Sequence, residues 1–400
     1  MSRRPAVVVV GNGMVGHRVV EALVARGATV DRDVVVFAEE PALAYDRVGL
    51  SSLFAGATPA ELSLVAPGAY DGVDVRVGDR VVCIDRDAGK VVAASGAVVA
   101  YDTLVLATGS SPFVPPVPGR DLPGCFVYRT LGDVERIRRY AAGRRVGAVV
   151  GGGLLGLEAA NALRDLGLET HVVEFAPRLM PVQVDDGGGA ALRARIEELG
   201  VFVHTSMSTA ELVAGADGAV ARMRFAEGCD LADLAVDMVV FSAGIRPRDD
   251  LARLAGLEVG ERGGIVVDDA CRTSDPRIYA VGECALAAGR VWGLVAPGYE
   301  MARVAVDRIL GGDAGFTGGD LSAKLKLMGV DVASFGDAFA SSPGAESIVY
   351  DDTLNRVYKR VVVADGGARV LGGVLVGDTS AYQLLLQMSR GDMPVPDHVE

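Results

Sequence analysis

The sequence predicts an α/β protein with two parallel-sheet domains and a small α+β domain at its C-terminal end. Three observations carry that expectation. A strand–glycine-turn–helix–strand pattern occurs twice, several short apolar runs end in glycine, and the texture changes after residue 319. Length agrees, because 400 residues suit two or three domains rather than one.

The elements follow in order. Ala6–Val10 is a short β-branched run, the mark of a strand buried on both faces. Gly11-Asn12-Gly13-Met14-Val15-Gly16 comes next, then apolar residues at helical spacing (Val19, Val20, Leu23, Val24) and a second run, Val34–Phe37, ending at Glu39. Tyr101–Gly109, closing in Ala107-Thr108-Gly109, reads as a buried strand entering a turn. Ser110–Gly119 holds four prolines in ten residues and reads as a crossover. The pattern then returns. Val146–Val150 leads to Gly151-Gly152-Gly153-Leu154-Leu155-Gly156, a helix through Leu157, Ala160 and Leu163, and His171–Val173 ending at Glu174. Two further strands run into glycine, Met238–Gly244 and Arg277–Glu283, and Pro297 opens a helix over Tyr299–Leu310. Beyond Gly311–Gly319 come short strands (Asp331–Phe335, Ser347–Tyr350, Val357–Val363, Val370–Val376) and a last helix, Tyr382–Met388.

The repeated pattern has a chemical reason. Its first glycine makes a tight turn, the second lets backbone approach a pyrophosphate, and the third lets helix pack on strand. The helix start then offers free N–H groups and a positive dipole end to the phosphates. Glu39 follows Gly11 by 28 residues and Glu174 follows Gly151 by 23, near the spacing at which a carboxylate meets an adenosine ribose. One glycine triplet is weak evidence. Two, each with these flanks, predict two Rossmann-like dinucleotide-binding units. The acid at the second strand end repels a 2′-phosphate and favours NADH over NADPH, with Arg178 the nearest later cation.

Composition narrows the partners. A net charge of −13 argues against nucleic acid or an anionic membrane, and no apolar run reaches the length of a membrane helix. Met1-Ser2-Arg3-Arg4-Pro5 leads straight into a strand, which reads as a cytoplasmic start. The five cysteines (Cys83, Cys125, Cys229, Cys271, Cys284) form no CxxC and read as small buried apolar residues rather than metal ligands or a redox pair.

The paired glycine motifs, Ala107-Thr108-Gly109, the Gly244 turn and Tyr279–Glu283 together resemble the FAD-dependent pyridine nucleotide reductase superfamily, with its glutathione-reductase-like fold. Within it the sequence is most similar to the flavoprotein part of the NADH-dependent assimilatory nitrite reductase large subunit. Gly11–His17, Glu39–Ser52, Gly147–Glu158, Glu169–Pro177, Phe241–Pro247, Val281–Cys284, Gly293–Tyr299 and Leu321–Val330 carry that likeness. The resemblance spans nearly the whole chain. It implies a discontinuous FAD-binding domain (1–115 and 245–318), an NAD(H)-binding domain (116–244) and a C-terminal α+β interface domain (319–400).

Carried onto this sequence, the resemblance places Gly11, Gly13, Met14, Val15, Gly16 and Glu39 at the FAD pyrophosphate and adenosine. Arg47 and Ser51 stand near the pyrophosphate and flavin, the Val81 backbone at the adenine, and Ala107, Thr108 and Gly109 where the chain crosses domains. Gly282 and Glu283 meet the ribityl chain, Pro297 starts the helix aimed at the flavin N1–O2 edge, and Arg129 joins the cofactor set. Gly151, Gly153, Leu154, Leu155, Gly156, Glu158, Glu174 and Gly244 belong to NADH.

An absence completes the expectation. Disulfide reductases of the superfamily keep a cysteine pair, and its peroxide-reducing branch one cysteine, near the segment that reads Leu50-Ser51-Ser52 here. Serine takes no electrons. The implied activity is therefore an FAD-dependent NADH dehydrogenase that passes electrons to a separate iron–sulfur or siroheme-type protein. Hydride transfer needs no general acid or base, so no catalytic side chain and no metal is named. A stand-alone NADH oxidase that makes peroxide, and a redox-sensing flavoprotein without turnover, are the alternatives. The full large subunit continues into iron–sulfur and siroheme regions, expected soon after Pro394-Val395-Pro396. Lys324, Lys326 and Lys359, three of the four lysines, are candidates for steering an acidic carrier. Arg136, Arg138, Arg139, Arg144 and Arg145 are expected to solvate a helix, and Trp292 to fill core. A homodimer is left open.

Overall fold

All five residues of Ala6–Val10 are buried, because a parallel strand in mid-sheet is covered on both faces. The strand belongs to a computed structural model that describes residues 3–395; Met1, Ser2 and Pro396 lie outside it. Contacts divide the chain into two units. One holds the residues up to Leu50, Ala57–Ser111 and Ile245–Asp320; the other holds Ser51–Gly56, Pro112–Gly244 and the residues from Leu321 on.

In the first unit a five-stranded parallel sheet runs in the order Ile278–Ala280, Thr103–Leu106, Ala6–Val10, Asp33–Phe37, Val73–Arg76. The helix Met14–Ala25 leaves the end of Ala6–Val10 and packs against the helix Val295–Ile309. That second helix starts four residues before the sequence places it. Pro297 is its third residue, where no intrahelical N–H bond is lost. A three-stranded antiparallel sheet, Val81–Asp85, Lys90–Ala93 and Val98–Ala100, adjoins the same core. Trp292 packs edge-on against Phe316 and donates its indole N–H to the Ala287 carbonyl at 3.1 Å, a core residue as expected.

The second unit repeats the architecture with Val201–His204, Glu169–Val173, Val146–Val150, Met238–Phe241 and Cys125–Val127, all parallel. The helix Leu131–Ala141 opens in a capping box of Thr130 and Asp133, with Arg136 on Asp133 and Arg139 on Glu135, so these arginines solvate it. The C-terminal domain is a five-stranded antiparallel sheet under the helix Tyr382–Arg390. Its edge strand Ala323–Leu327 lies within the stretch Leu321–Val330 that carries the family likeness but is not read as a strand from the sequence; its alternation of small or apolar residues with lysine is a period-two signal. This domain meets the helix Asp186–Glu198 at several points: Arg356 pairs with Glu198 at 3.0 Å, Arg195 donates to the Asn355 carbonyl, and Asp185 at the helix start joins both. Asp185 caps that helix on the Gly188 N–H and also accepts from the Tyr358 hydroxyl at 2.6 Å and Arg360 at 2.9 Å.

The cysteines correct one expectation. Cys271 and Cys284 are buried, Cys125 and Cys229 half-buried, but Cys83 is exposed on an antiparallel strand that turns one face outward.

Candidate functional site

The two glycine turns repeat one another closely. Gly11 and Gly151 adopt φ of +107° and +115°, open to glycine and strained for other residues. Each donates its N–H at 2.8 Å to the last carbonyl of the neighbouring strand, Phe37 or Val173. A Cβ on Gly11 would stand 2.2 Å from the Ala107 carbonyl oxygen, and one on Gly151 2.2 Å from that of Ser242. At Gly16 and Gly156 a Cβ would meet the Gly11 or Gly151 oxygen at 1.9 Å. Gly13 and Gly153 cap the two helices without a side chain, and neither first turn holds an acid. A Cβ on Gly153 would meet nothing within 4 Å, and one on Gly13 only Arg47, at 3.8 Å. Each turn is thus a bare cradle of N–H groups at a positive helix end, the donor set that suits a diphosphate.

The acids beyond the turns are held differently. Glu174 is buried; its oxygens accept the Gly152 N–H at 2.5 Å and the Ala176 N–H at 2.7 Å. Glu39 is partly exposed and pairs with Arg248 at 2.5 Å and Arg80 at 3.7 Å. The Arg248 hydrogen bond holds its carboxyl below the usual carboxylate range. Arg178 is already committed, to Asp186 at 2.6 Å and the Val184 and Pro181 carbonyls at 2.9 and 3.4 Å.

The remaining residues fall around the two turns. In the first unit Arg47 pairs with Glu40, lies 4.9 Å over the Tyr45 ring and reaches the open side of Gly13. Met14 and Val15 open the helix, and Val15 packs against Gly282 and Gly298. Thr108 donates to the Arg248 carbonyl at 2.6 Å, while Gly109 at φ +67° accepts the Arg248 N–H at 2.9 Å. Glu283 accepts from the Ser110 hydroxyl at 2.7 Å. Val81 is buried opposite Ala93 in the antiparallel sheet, and Ala107 is buried beneath Gly11. Pro297 lies in the first turn of an uncapped helix. Unread in the sequence is the support under the turn: Tyr70 donates to the Asn12 side chain at 2.7 Å and meets His17 Nδ1 at 3.1 Å.

In the second unit Leu154 and Leu155 open the helix and Glu158 lies in its second turn. Burial, aided by the charge of Glu158, pushes the nearby Tyr128 phenol pKa up. Tyr128 packs against Phe54, whose N–H donates to the Ser51 carbonyl at 3.1 Å. The Arg129 N–H donates to Asp133 at 3.0 Å in the capping box, a use of its backbone. Gly244, at φ +111°, accepts the Phe113 N–H at 2.8 Å.

Beside Glu174, His171 Nδ1 meets His204 Nε2 at 3.0 Å, and His171 Nε2 meets Glu169 at 3.1 Å. Only one nitrogen of the facing pair can carry a proton. Burial, then the charges of His171 and Arg193, lower the His204 pKa, with Glu197 opposing. Because the pKa lies below the ordinary imidazole value, the unfolded chain takes up the proton first and stability is lost as pH falls. The melting temperature should drop from pH 7.5 to pH 5 and drop less in His204→Gln; equal drops would refute the assignment.

The family model described as pyridine nucleotide-disulphide oxidoreductase matches residues 5–308, and that of the rubredoxin NAD+ reductase C-terminal domain matches 322–389. The chain is 53% identical over 392 residues to the nitrite reductase (NADH) large subunit of Escherichia coli (strain K12), covering 98% of this chain and 46% of that one. It is 54% identical over 399 residues to the nitrite reductase [NAD(P)H] large subunit of Klebsiella oxytoca, covering 99% and 41%. The chain therefore spans less than half of either relative. Among solved structures, the ferredoxin reductase for the CYP199A2 system from Rhodopseudomonas palustris superposes with a TM-score of 0.85 at 27% identity, over 98% of this chain and 95% of that one.

Proposed function

Because the chain belongs to the pyridine nucleotide-disulphide oxidoreductase family, we propose that it is an FAD-dependent NADH dehydrogenase module that hands electrons to a separate iron–sulfur or siroheme-type protein. The duplicated bare glycine turn, each copy followed by an acid, carries this reading. In the first unit the N–H groups from Met14 to Gly16 hold the FAD pyrophosphate, Arg47 balances its charge and Glu39 takes the adenosine ribose. The helix Val295–Ile309 starts without a side-chain cap or an acid and so offers a positive end to the same cofactor. In the second unit the N–H groups from Leu154 to Gly156 hold the NADH pyrophosphate and Glu174 the ribose. With Glu174 buried and Arg178 committed elsewhere, a 2′-phosphate meets a negative charge, which supports NADH over NADPH. Bound flavin supplies the chemistry that takes hydride from the nicotinamide and releases the electrons.

Burial pushes the Cys125 pKa up to about 11 and that of Cys271 up to about 12, so neither is a thiolate at neutral pH. No helix among the described residues is long and apolar enough to cross a membrane, and we place the activity in the cytoplasm. NADH should bleach the oxidised flavin in a stopped-flow experiment; no reduction at millimolar NADH would end this reading.

For the acceptor we favour an acidic carrier docking at Lys324 and Lys326, which stand exposed on one face of an edge strand. Such lysines also guard edges against aggregation, so the test must separate the roles. Lys324→Glu with Lys326→Glu should slow reduction of an acidic ferredoxin at low salt by about tenfold and leave flavin bleaching by NADH unchanged. Unaltered ferredoxin reduction would dismiss the docking site.

A further inference from the structure

The two strand-end acids differ in what aims them. Glu174 is oriented by backbone: two N–H groups fix both its oxygens. Glu39 accepts no such bond; its partners are the guanidinium groups of Arg248 and Arg80, the latter more distant and half exposed. Arg248 itself has a fixed base. Its carbonyl accepts from Thr108 Oγ1 and its N–H donates to Gly109, so its backbone is bound on both sides to the turn that closes the strand beside Ala6–Val10. A planar guanidinium on an anchored backbone orients a carboxylate where the local chain provides no donor. We propose that Arg248 is a positioning residue for the adenosine end of the flavin site, holding the Glu39 carboxylate ready for the ribose hydroxyls. This rests on the proposal that FAD occupies the first glycine turn.

The experiment measures FAD dissociation constants by fluorescence on flavin-stripped 400-residue chain. It also measures, on FAD-saturated protein, the NADH concentration that half-saturates flavin bleaching. Arg248→Met should weaken FAD about tenfold and leave the NADH value unchanged; Arg248→Lys, which keeps the charge but loses the planar fork, should fall between. Glu39→Gln should weaken FAD to a similar degree, and the double variant no further, because the two side chains act as one device. If Arg248→Met does not fold, Arg248→Lys with Glu39→Gln completes the same cycle. FAD affinity within about twofold of wild type, equal loss of FAD and NADH, or additive losses in the double variant would each overturn the role of Arg248. A wild-type chain that binds no FAD would remove the cofactor assignment and this inference with it, a result distinct from an unaffected variant.

Discussion

Gly16→Ala should purify without flavin. The alanine Cβ would stand 1.9 Å from the Gly11 carbonyl oxygen and 3.4 Å from the Ala107 Cβ, and neither neighbour can yield cheaply. Gly11 is pinned to Phe37 by its N–H and already uses a φ closed to other residues; Ala107 is buried in the sheet below. The helix must back away by more than 1 Å or the turn must open. Either movement carries the first N–H groups off the phosphates they are proposed to hold. Overpacking of this kind costs about 1–3 kcal/mol of stability, so the chain should still fold while its FAD affinity falls by about a hundredfold or more. The flavin-to-protein ratio after purification and titration with added FAD read this directly. Stoichiometric flavin at unchanged affinity would show that the first turn does not hold FAD.

The equivalent change in the second unit should leave the protein yellow. Gly156→Ala brings a Cβ to 1.9 Å from the Gly151 oxygen, the same collision on the same scaffold. Here the displaced N–H groups are those proposed for NADH. Flavin content should match wild type, while the rate of bleaching by NADH falls by about a hundredfold, since a misplacement near 1 Å has that effect on a positioned transfer. Loss of flavin from this variant, or a bleaching rate within about twofold of wild type, would contradict the assignment of the second turn to NADH. The matched pair is informative because the sterics are alike and only the readouts differ.

Local pattern explains what the sequence reveals. The strands Ala6–Val10 and Val146–Val150, the turns after them and the helices they feed are each encoded within about a dozen residues, so periodicity and glycine spacing find them. The acids Glu39 and Glu174 are found by spacing. What aims them is not. Arg248 lies 209 residues beyond Glu39, with no local feature to mark it, and the Gly152 N–H that holds Glu174 is one amide among many. Tyr70 is equally silent, because its use depends on the fold bringing it under Asn12 and beside His17. Arg178 is the nearest cation after Glu174 in the sequence, but its use is invisible there: its three acceptors lie in its own loop and the helix that follows. Cys83 breaks the expectation of buried thiols because its strand belongs to a sheet with an outward face. The helix at Pro297 starts early because a first-turn proline permits residues before it as readily as after.

The carboxylate of Asp185 serves three masters at once: a helix start, a tyrosine and an arginine. Grafting the C-terminal sheet from a relative onto this chain would therefore have to keep two of its side chains, Tyr358 and Arg360, besides the Arg356–Glu198 pair. A donor lacking tyrosine and arginine at positions 358 and 360 would strand a shielded negative charge at the start of the recipient helix, however well the transplanted sheet folds by itself.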